Sequence, residues 1–173
     1  LMGGDNGLAF FDLESGEKTL IVDPEPDKKP DNRFNDGKCD SKGRLWAGTI
    51  STMKKKGDAT LYRLDTALEL TTQFPNVTNS NGLCWTKDGG KFYYIDTPSK
   101  KVRAFDYDVE SGDISNERIA IDTSELEGSP DGMTIDENDH VWIAFGRGGC
   151  VRCINLATGD ILKTVELPVS GVT

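Results

Sequence analysis

The stretch Arg33-Phe34-Asn35-Asp36-Gly37-Lys38-Cys39-Asp40-Ser41-Lys42-Gly43-Arg44-Leu45-Trp46-Ala47-Gly48-Thr49 decides the fold, because its pattern returns twice. It reads as a polar cluster, a short strand, a turn and a second strand. Arg33, Asn35 and Asp36 set a cation, an amide and a carboxylate side by side. Gly37 lets the backbone bend where a side chain would obstruct it. Asp40-Ser41-Lys42-Gly43 is a polar turn closed by glycine. The second copy is Ser80-Asn81-Gly82-Leu83-Cys84-Trp85-Thr86-Lys87-Asp88-Gly89-Gly90-Lys91-Phe92-Tyr93-Tyr94-Ile95-Asp96. The third is Pro130-Asp131-Gly132-Met133-Thr134-Ile135-Asp136-Glu137-Asn138-Asp139-His140-Val141-Trp142-Ile143-Ala144. Gly37, Gly82 and Gly132 place the copies 45 and 50 residues apart. Units of that length built only from strands and turns are blades of a β-propeller.

Working outward, each copy is followed by an outer hairpin. Ala104-Phe105-Asp106-Tyr107-Asp108-Val109-Glu110-Ser111-Gly112-Asp113-Ile114 and Cys153-Ile154-Asn155-Leu156-Ala157-Thr158-Gly159-Asp160-Ile161-Leu162 are strand, glycine turn, strand. Leu61-Tyr62-Arg63-Leu64-Asp65 fills the same slot after the first copy, and Gly7–Val22 forms such a hairpin with nothing before it. The sequence therefore predicts one all-β propeller segment over residues 1–173. It has a partial blade at 1–22 and four-stranded blades at about 35–75, 81–121 and 131–167. Propellers close with about 4–8 blades, so about three and a half blades read as a segment of a larger ring. An open propeller exposes sheet edges and faces, which makes an oligomer an expected partner state. Asp23–Asn32, rich in proline and charge, reads as a solvated connector, and Lys54-Lys55-Lys56 as a solvated loop.

Composition narrows the function. The net charge of −9 argues against nucleic acid and anionic membrane as partners, since both select basic surfaces. No apolar run approaches the about 18–20 residues of a membrane-spanning helix. Cys39 and Cys84 share one repeat column and read as small residues packed between inner strands. Cys150 and Cys153 form a C-x-x-C, but within a strand residues i and i+3 face opposite ways, so a zinc or redox role for that pair is not expected. Unpaired thiols suit a reducing, cytoplasmic location. Asn76-Val77-Thr78 is a glycosylation sequon that matters only in a secreted chain. His140 is the only histidine and reads as a surface residue at a strand start, which argues against a Ser-His-Asp triad.

The column before the repeat glycine holds Asp36, Asn81 and Asp131. Equivalent loops of a propeller open at one mouth of its channel, so these oxygen-bearing side chains are expected there. A lone Asn-Gly or Asp-Gly merely turns the chain; three in register point to a site. Asp36 reads either as a cap of its own turn or as a ligand acting through water.

The motifs Arg33-Phe34-Asn35-Asp36-Gly37, Ala47-Gly48-Thr49, Ser80-Asn81-Gly82-Leu83, Phe92-Tyr93-Tyr94-Ile95-Asp96, Phe105-Asp106-Tyr107-Asp108 and Pro130-Asp131-Gly132-Met133 closely resemble the SMP-30/gluconolactonase/regucalcin family, over about Leu8 to Pro168. The resemblance implies a six-bladed propeller that carries one divalent metal and hydrolyses sugar lactones; some members are known rather as calcium-binding proteins. It implies Asn81 and Asp131 as metal ligands, Asp131 also as the proton donor or acceptor, and Arg33 and Asn35 as substrate-binding residues. A third ligand, a glutamate, would lie upstream of Leu1, and a substrate-contacting glutamate is replaced by Met53. Amide and carboxylate oxygens suit Ca²⁺ first, with Mg²⁺, Mn²⁺ and Zn²⁺ as alternatives. The expected chemistry is metal-assisted lactone hydrolysis with Asp131 as general acid and base. A calcium-binding regulatory protein without turnover and a non-enzymatic scaffold remain alternatives, and a phosphotriester-cleaving propeller would keep the same site logic.

Overall fold

A computed structural model describes all of residues 1–173. The repeats fold as antiparallel sheets whose strands lie side by side in chain order. The first sheet has three strands, β1 (Met2–Gly4), β2 (Gly7–Phe11) and β3 (Lys18–Val22). Three four-stranded sheets follow. They are β4 (Asn32–Cys39) to β7 (Leu70–Val77) with β5 (Leu45–Ser51) and β6 (Ala59–Leu64); β8 (Ser80–Trp85) to β11 (Ile114–Asp122) with β9 (Lys91–Asp96) and β10 (Lys101–Tyr107); and β12 (Ser129–Ile135) to β15 (Ile161–Glu166) with β13 (His140–Gly146) and β14 (Cys150–Asn155). Two single-turn 3-10 helices, Pro26–Lys28 and Thr97–Ser99, each begin with proline in the first turn. The fold is all-β, with the four-stranded blades of a propeller, and no helix is long and apolar enough to cross a membrane.

The chain divides into two compact units, Leu1–Cys39 with Gly43–Ser80, and Asp40–Lys42 with Asn81–Thr173. In the first, Leu8, Phe34, Ala47, Tyr62 and Leu64 form a core cluster. Gly48 is dictated by close approach: a Cβ there would lie 1.9 Å from Ser80 Oγ. In the second unit the core runs through Cys84, Tyr93, Ile95, Val102, Met133, Val141, Ile143 and Phe145. Trp85, Phe92 and Tyr107 pack ring against ring beside it. Tyr107 also donates a hydrogen bond to the buried Asp40 carboxylate at 2.6 Å.

The four cysteines are in no disulfide. Cys84 and Cys150 are core residues, but Cys39 is exposed. The repeat column therefore does not fix burial: Cys39 ends β4, whereas Cys84 belongs to the same core cluster as Tyr93 and Met133.

The Asp23–Asn32 connector is not simply solvated. Glu25 is 7% exposed and accepts hydrogen bonds from Asn32 Nδ2 (3.0 Å), Thr49 Oγ1 (3.2 Å) and Tyr62 OH (3.0 Å). Lys28 Nζ lies 3.5 Å from the same carboxylate. A buried carboxylate persists only when its charge and lone pairs are matched, and here three neutral donors and one cation do so. Burial pushes the Tyr62 hydroxyl up to about 12, with the nearby Glu25 charge adding to the effect and a hydrogen bond with Thr60 opposing it.

Candidate functional site

In the first unit the site residues sit on β4, which is anchored at its start by Asn32 on the Glu25 carboxylate. The pairing of β4 with β5 slips between Phe34 and Gly37, so Asn35 and Asp36 occupy a bulge. A bulge re-aims side chains that strict alternation would send elsewhere. Arg33 and Asn35 are both exposed. Arg33 Nη1 donates to Phe34 O at 2.9 Å and reaches Asn35 Oδ1 at 3.4 Å. Asn35 Nδ2 donates to Ser80 O at 2.8 Å and to Asn79 Oδ1 at 3.2 Å. These two residues therefore form one connected polar pair. Asp36 Oδ1 accepts from the Gly37 N–H at 2.8 Å, as a cap of its own turn. Burial raises its carboxyl above the ordinary 3.8, against the lowering effects of the Gly37 N–H and Lys38.

In the second unit Asn81 lies on β8 and is 3% exposed. Its Nδ2 donates to Thr97 Oγ1 at 2.8 Å, and Thr97 Oγ1 donates to Pro130 O at 2.9 Å. Thr97 thus ties Asn81 to the residue before Asp131. The same bond fixes which end of the amide is which: the nitrogen faces Thr97, and Oδ1, the atom a hard cation needs, faces the other way. Asp131, half-buried, lies in a second bulge, between Pro130 and Met133. Its carboxylate lies over Gly146, where a Cβ would stand 3.6 Å from Oδ2. A Cβ at Gly82 would fall 2.8 Å from Asp131 O and 2.7 Å from Met133 Cβ. The glycine after Asn81 is therefore what lets β8 and β12 approach.

The second unit thus brings together the strands carrying Asn81 and Asp131, and the first places Arg33 beside Asn35. The donor set of the second unit, an amide oxygen and a carboxylate, fits a hard divalent cation. Met53 is 63% exposed and offers no oxygen where the resemblance expects a glutamate. Sequence reasoning missed Thr97 and Glu25. The Thr97-Pro98 pair marks a turn, but nothing local says that its hydroxyl bridges residues 81 and 130. His140 is not a bare surface residue either: it is half-buried, with Nδ1 3.6 Å from Asp136 Oδ2.

Known proteins resemble this chain in sequence and fold. A zebrafish (Danio rerio) protein named regucalcin is 41% identical over 169 residues, which span 96% of this chain and 57% of that protein. A Bacillus subtilis protein, provisionally named a sugar lactone lactonase, is 36% identical over 173 residues, covering 100% of this chain and 59% of its own length. The crystal structure of an Agrobacterium tumefaciens regucalcin, described as a calcium-binding protein, superposes with a TM-score of 0.90 at 28% identity, over 97% of this chain and 56% of that one. The chain thus spans under three fifths of the length of each of these three proteins. The family model for the SMP-30/gluconolactonase/LRE-like region matches residues 1–173. The repeats, the bulged site strands and these likenesses together make the chain a member of the SMP-30/gluconolactonase/LRE-like family.

Proposed function

We propose that the protein to which this chain belongs is a divalent-metal-dependent hydrolase of sugar lactones. The observation that carries the proposal is the Asn81–Thr97–Pro130 connection, which orients the Asn81 amide and ties β8 to the bulge holding Asp131. Asn81 Oδ1 and an Asp131 oxygen would hold the ion, Ca²⁺ by the hardness of its donors, with Mg²⁺, Mn²⁺ or Zn²⁺ as alternatives. The bound cation supplies Lewis acidity at the lactone carbonyl. Asp131 takes a proton from the attacking water and returns it to the ring oxygen as the ester bond opens. Arg33, exposed and partnered to Asn35, donates to sugar hydroxyls or to the oxyanion that develops at the carbonyl. Asn35, held by Ser80 O, orients the same substrate. The thiols and acidic surface fit a cytoplasmic enzyme acting on a small, neutral sugar lactone.

A second reading is a calcium-binding protein without turnover. It is favoured by the exposed Met53, which supplies no substrate contact of the expected kind, and by the description of the Agrobacterium relative. Gluconolactone hydrolysis separates the two. The proposal expects turnover that needs added divalent ion, is abolished by chelator, and falls at least about 100-fold in Asp131→Asn, in the range of a lost general base. Ion binding with no turnover above the spontaneous rate would replace the proposal by the second reading.

A further inference from the structure

We propose that Asp136, His140 and Cys153 form a second metal site, distinct from Asn81 and Asp131, selective for zinc-class ions. The ligand atoms of these three residues all lie within 4.8 Å of one another. Strands β13 and β14 and the turn that follows β12 build the cluster. Cys153 on β14 is the cross-strand partner of Trp142 on β13, and Trp142 in turn faces Thr134 on β12. Cross-strand partners share a face, and so do residues two apart along a strand. His140, Trp142 and Cys153 are therefore on the same face, and Asp136, two beyond Thr134, follows them. Cys150 points to the opposite face and lies in the core, so the C-x-x-C does not act as a pair.

The cluster is preorganised. Asp136 Oδ1 accepts the N–H groups of Asn138 (2.9 Å) and His140 (3.0 Å), and Oδ2 accepts Trp142 Nε1 at 3.1 Å. These bonds fix the carboxylate while leaving lone pairs on Oδ2, which faces His140 Nδ1 at 3.6 Å. Tetrahedral zinc with bonds of about 2.0–2.3 Å needs ligand atoms about 3.3–3.8 Å apart. The Asp–His pair already meets that spacing, and the remaining separations, within 4.8 Å, exceed it by at most about 1 Å. An ion that binds Sγ takes it as the thiolate, and the thiol proton leaves to solvent. Zn²⁺ with one thiolate, one carboxylate and a neutral imidazole carries no net charge. One thiolate and one imidazole select zinc, cobalt or cadmium over calcium and magnesium, so the site differs in chemistry from the all-oxygen pair at Asn81 and Asp131. His140 is half-buried, and it also lines an open cleft with Asn138, Asp139 and Asn155.

Cobalt(II) is the probe, because a cysteine thiolate on Co²⁺ gives a near-ultraviolet charge-transfer band that oxygen and nitrogen ligands do not. Titration of the reduced protein should give that band at one equivalent, and Zn²⁺ should bleach it. Cys153→Ser should abolish the band. His140→Gln, on a half-exposed side chain that does not test folding, should weaken Co²⁺ binding by more than about tenfold. Asp131→Ala should leave the band unchanged, so failure of the lactonase proposal would not affect this one. No band at one equivalent, or a band that survives Cys153→Ser and is lost with Cys39→Ser, would overturn the assignment.

Discussion

Replacing Glu25 by alanine tests whether the first unit is held by a buried carboxylate rather than by its apolar cluster alone. Glu25 accepts from Asn32, Thr49 and Tyr62 and sits 3.5 Å from Lys28 Nζ. Not every partner is stranded when it goes. Asn32 Nδ2 keeps Asp58 O at 2.8 Å, Lys28 keeps the same carbonyl, and Thr49 Oγ1 retains Thr60 O at 3.4 Å. The main losses are the acceptor of the Tyr62 hydroxyl hydrogen, whose oxygen keeps its bond with Thr60, and that of one Asn32 hydrogen, each costing about 1–3 kcal/mol when a buried donor goes unpaired. A small cavity adds to this. The expected cost of Glu25→Ala is therefore about 3–5 kcal/mol. Glu25→Gln keeps the shape and one acceptor oxygen but sets an NH₂ against donors, so it should cost about 1–2 kcal/mol. Tyr62→Phe removes one donor of several and should cost about 1 kcal/mol. Urea unfolding followed by circular dichroism reads all three, with the shift in midpoint and not in slope. A Glu25→Ala midpoint within about 0.5 kcal/mol of the parent, or Tyr62→Phe costing more than Glu25→Ala, would refute the carboxylate's role as the hub.

Three further outcomes follow from the site geometry. Asp36 has a raised carboxyl, so its ionised form is disfavoured in the folded chain; the penalty is absent below 3.8, where both states hold the proton, and grows as pH rises through the folded-state value. Asp36→Asn, which can still accept from Gly37, should therefore raise the melting temperature at pH 7 and lose that gain below pH 3.8; a lower melting temperature at pH 7 would contradict this. Gly82→Ala puts a methyl 2.7 Å from Met133 Cβ and 2.8 Å from Asp131 O, so it should destabilise by about 1–3 kcal/mol and weaken metal binding together, measured by denaturation and calorimetry. Thr97→Val removes the hydroxyl that orients Asn81 and should lower divalent-ion affinity about 10-fold with little change in fold, as read by the same titration.

The repeats at Gly37, Gly82 and Gly132 were enough to predict an all-β propeller, because each copy carries its own turn chemistry and alternating apolar strands. Asn81 and Asp131 stood out for the same reason. What the sequence did not reveal depends on contacts distant in the chain. Glu25 lies in a run of prolines and charges that reads as solvated, and only Thr49 and Tyr62, 24 and 37 residues on, show that it is buried. The bulges at 35–36 and 131–132 look like ordinary tight turns, since Asp-Gly serves both. Asp136 and His140 face each other across one short turn, but Cys153 joins them only through the register of β13 with β14, which no local spacing encodes.

The most direct test of the central claim is calorimetric titration of the chain with Ca²⁺, Mn²⁺ and Zn²⁺ beside Asn81→Ala and Asp131→Ala. Saturable Ca²⁺ and Mn²⁺ binding is expected in the parent and is lost in both variants, with both still folded by circular dichroism. Ca²⁺ binding of equal affinity in the parent and in Asp131→Ala would contradict that claim.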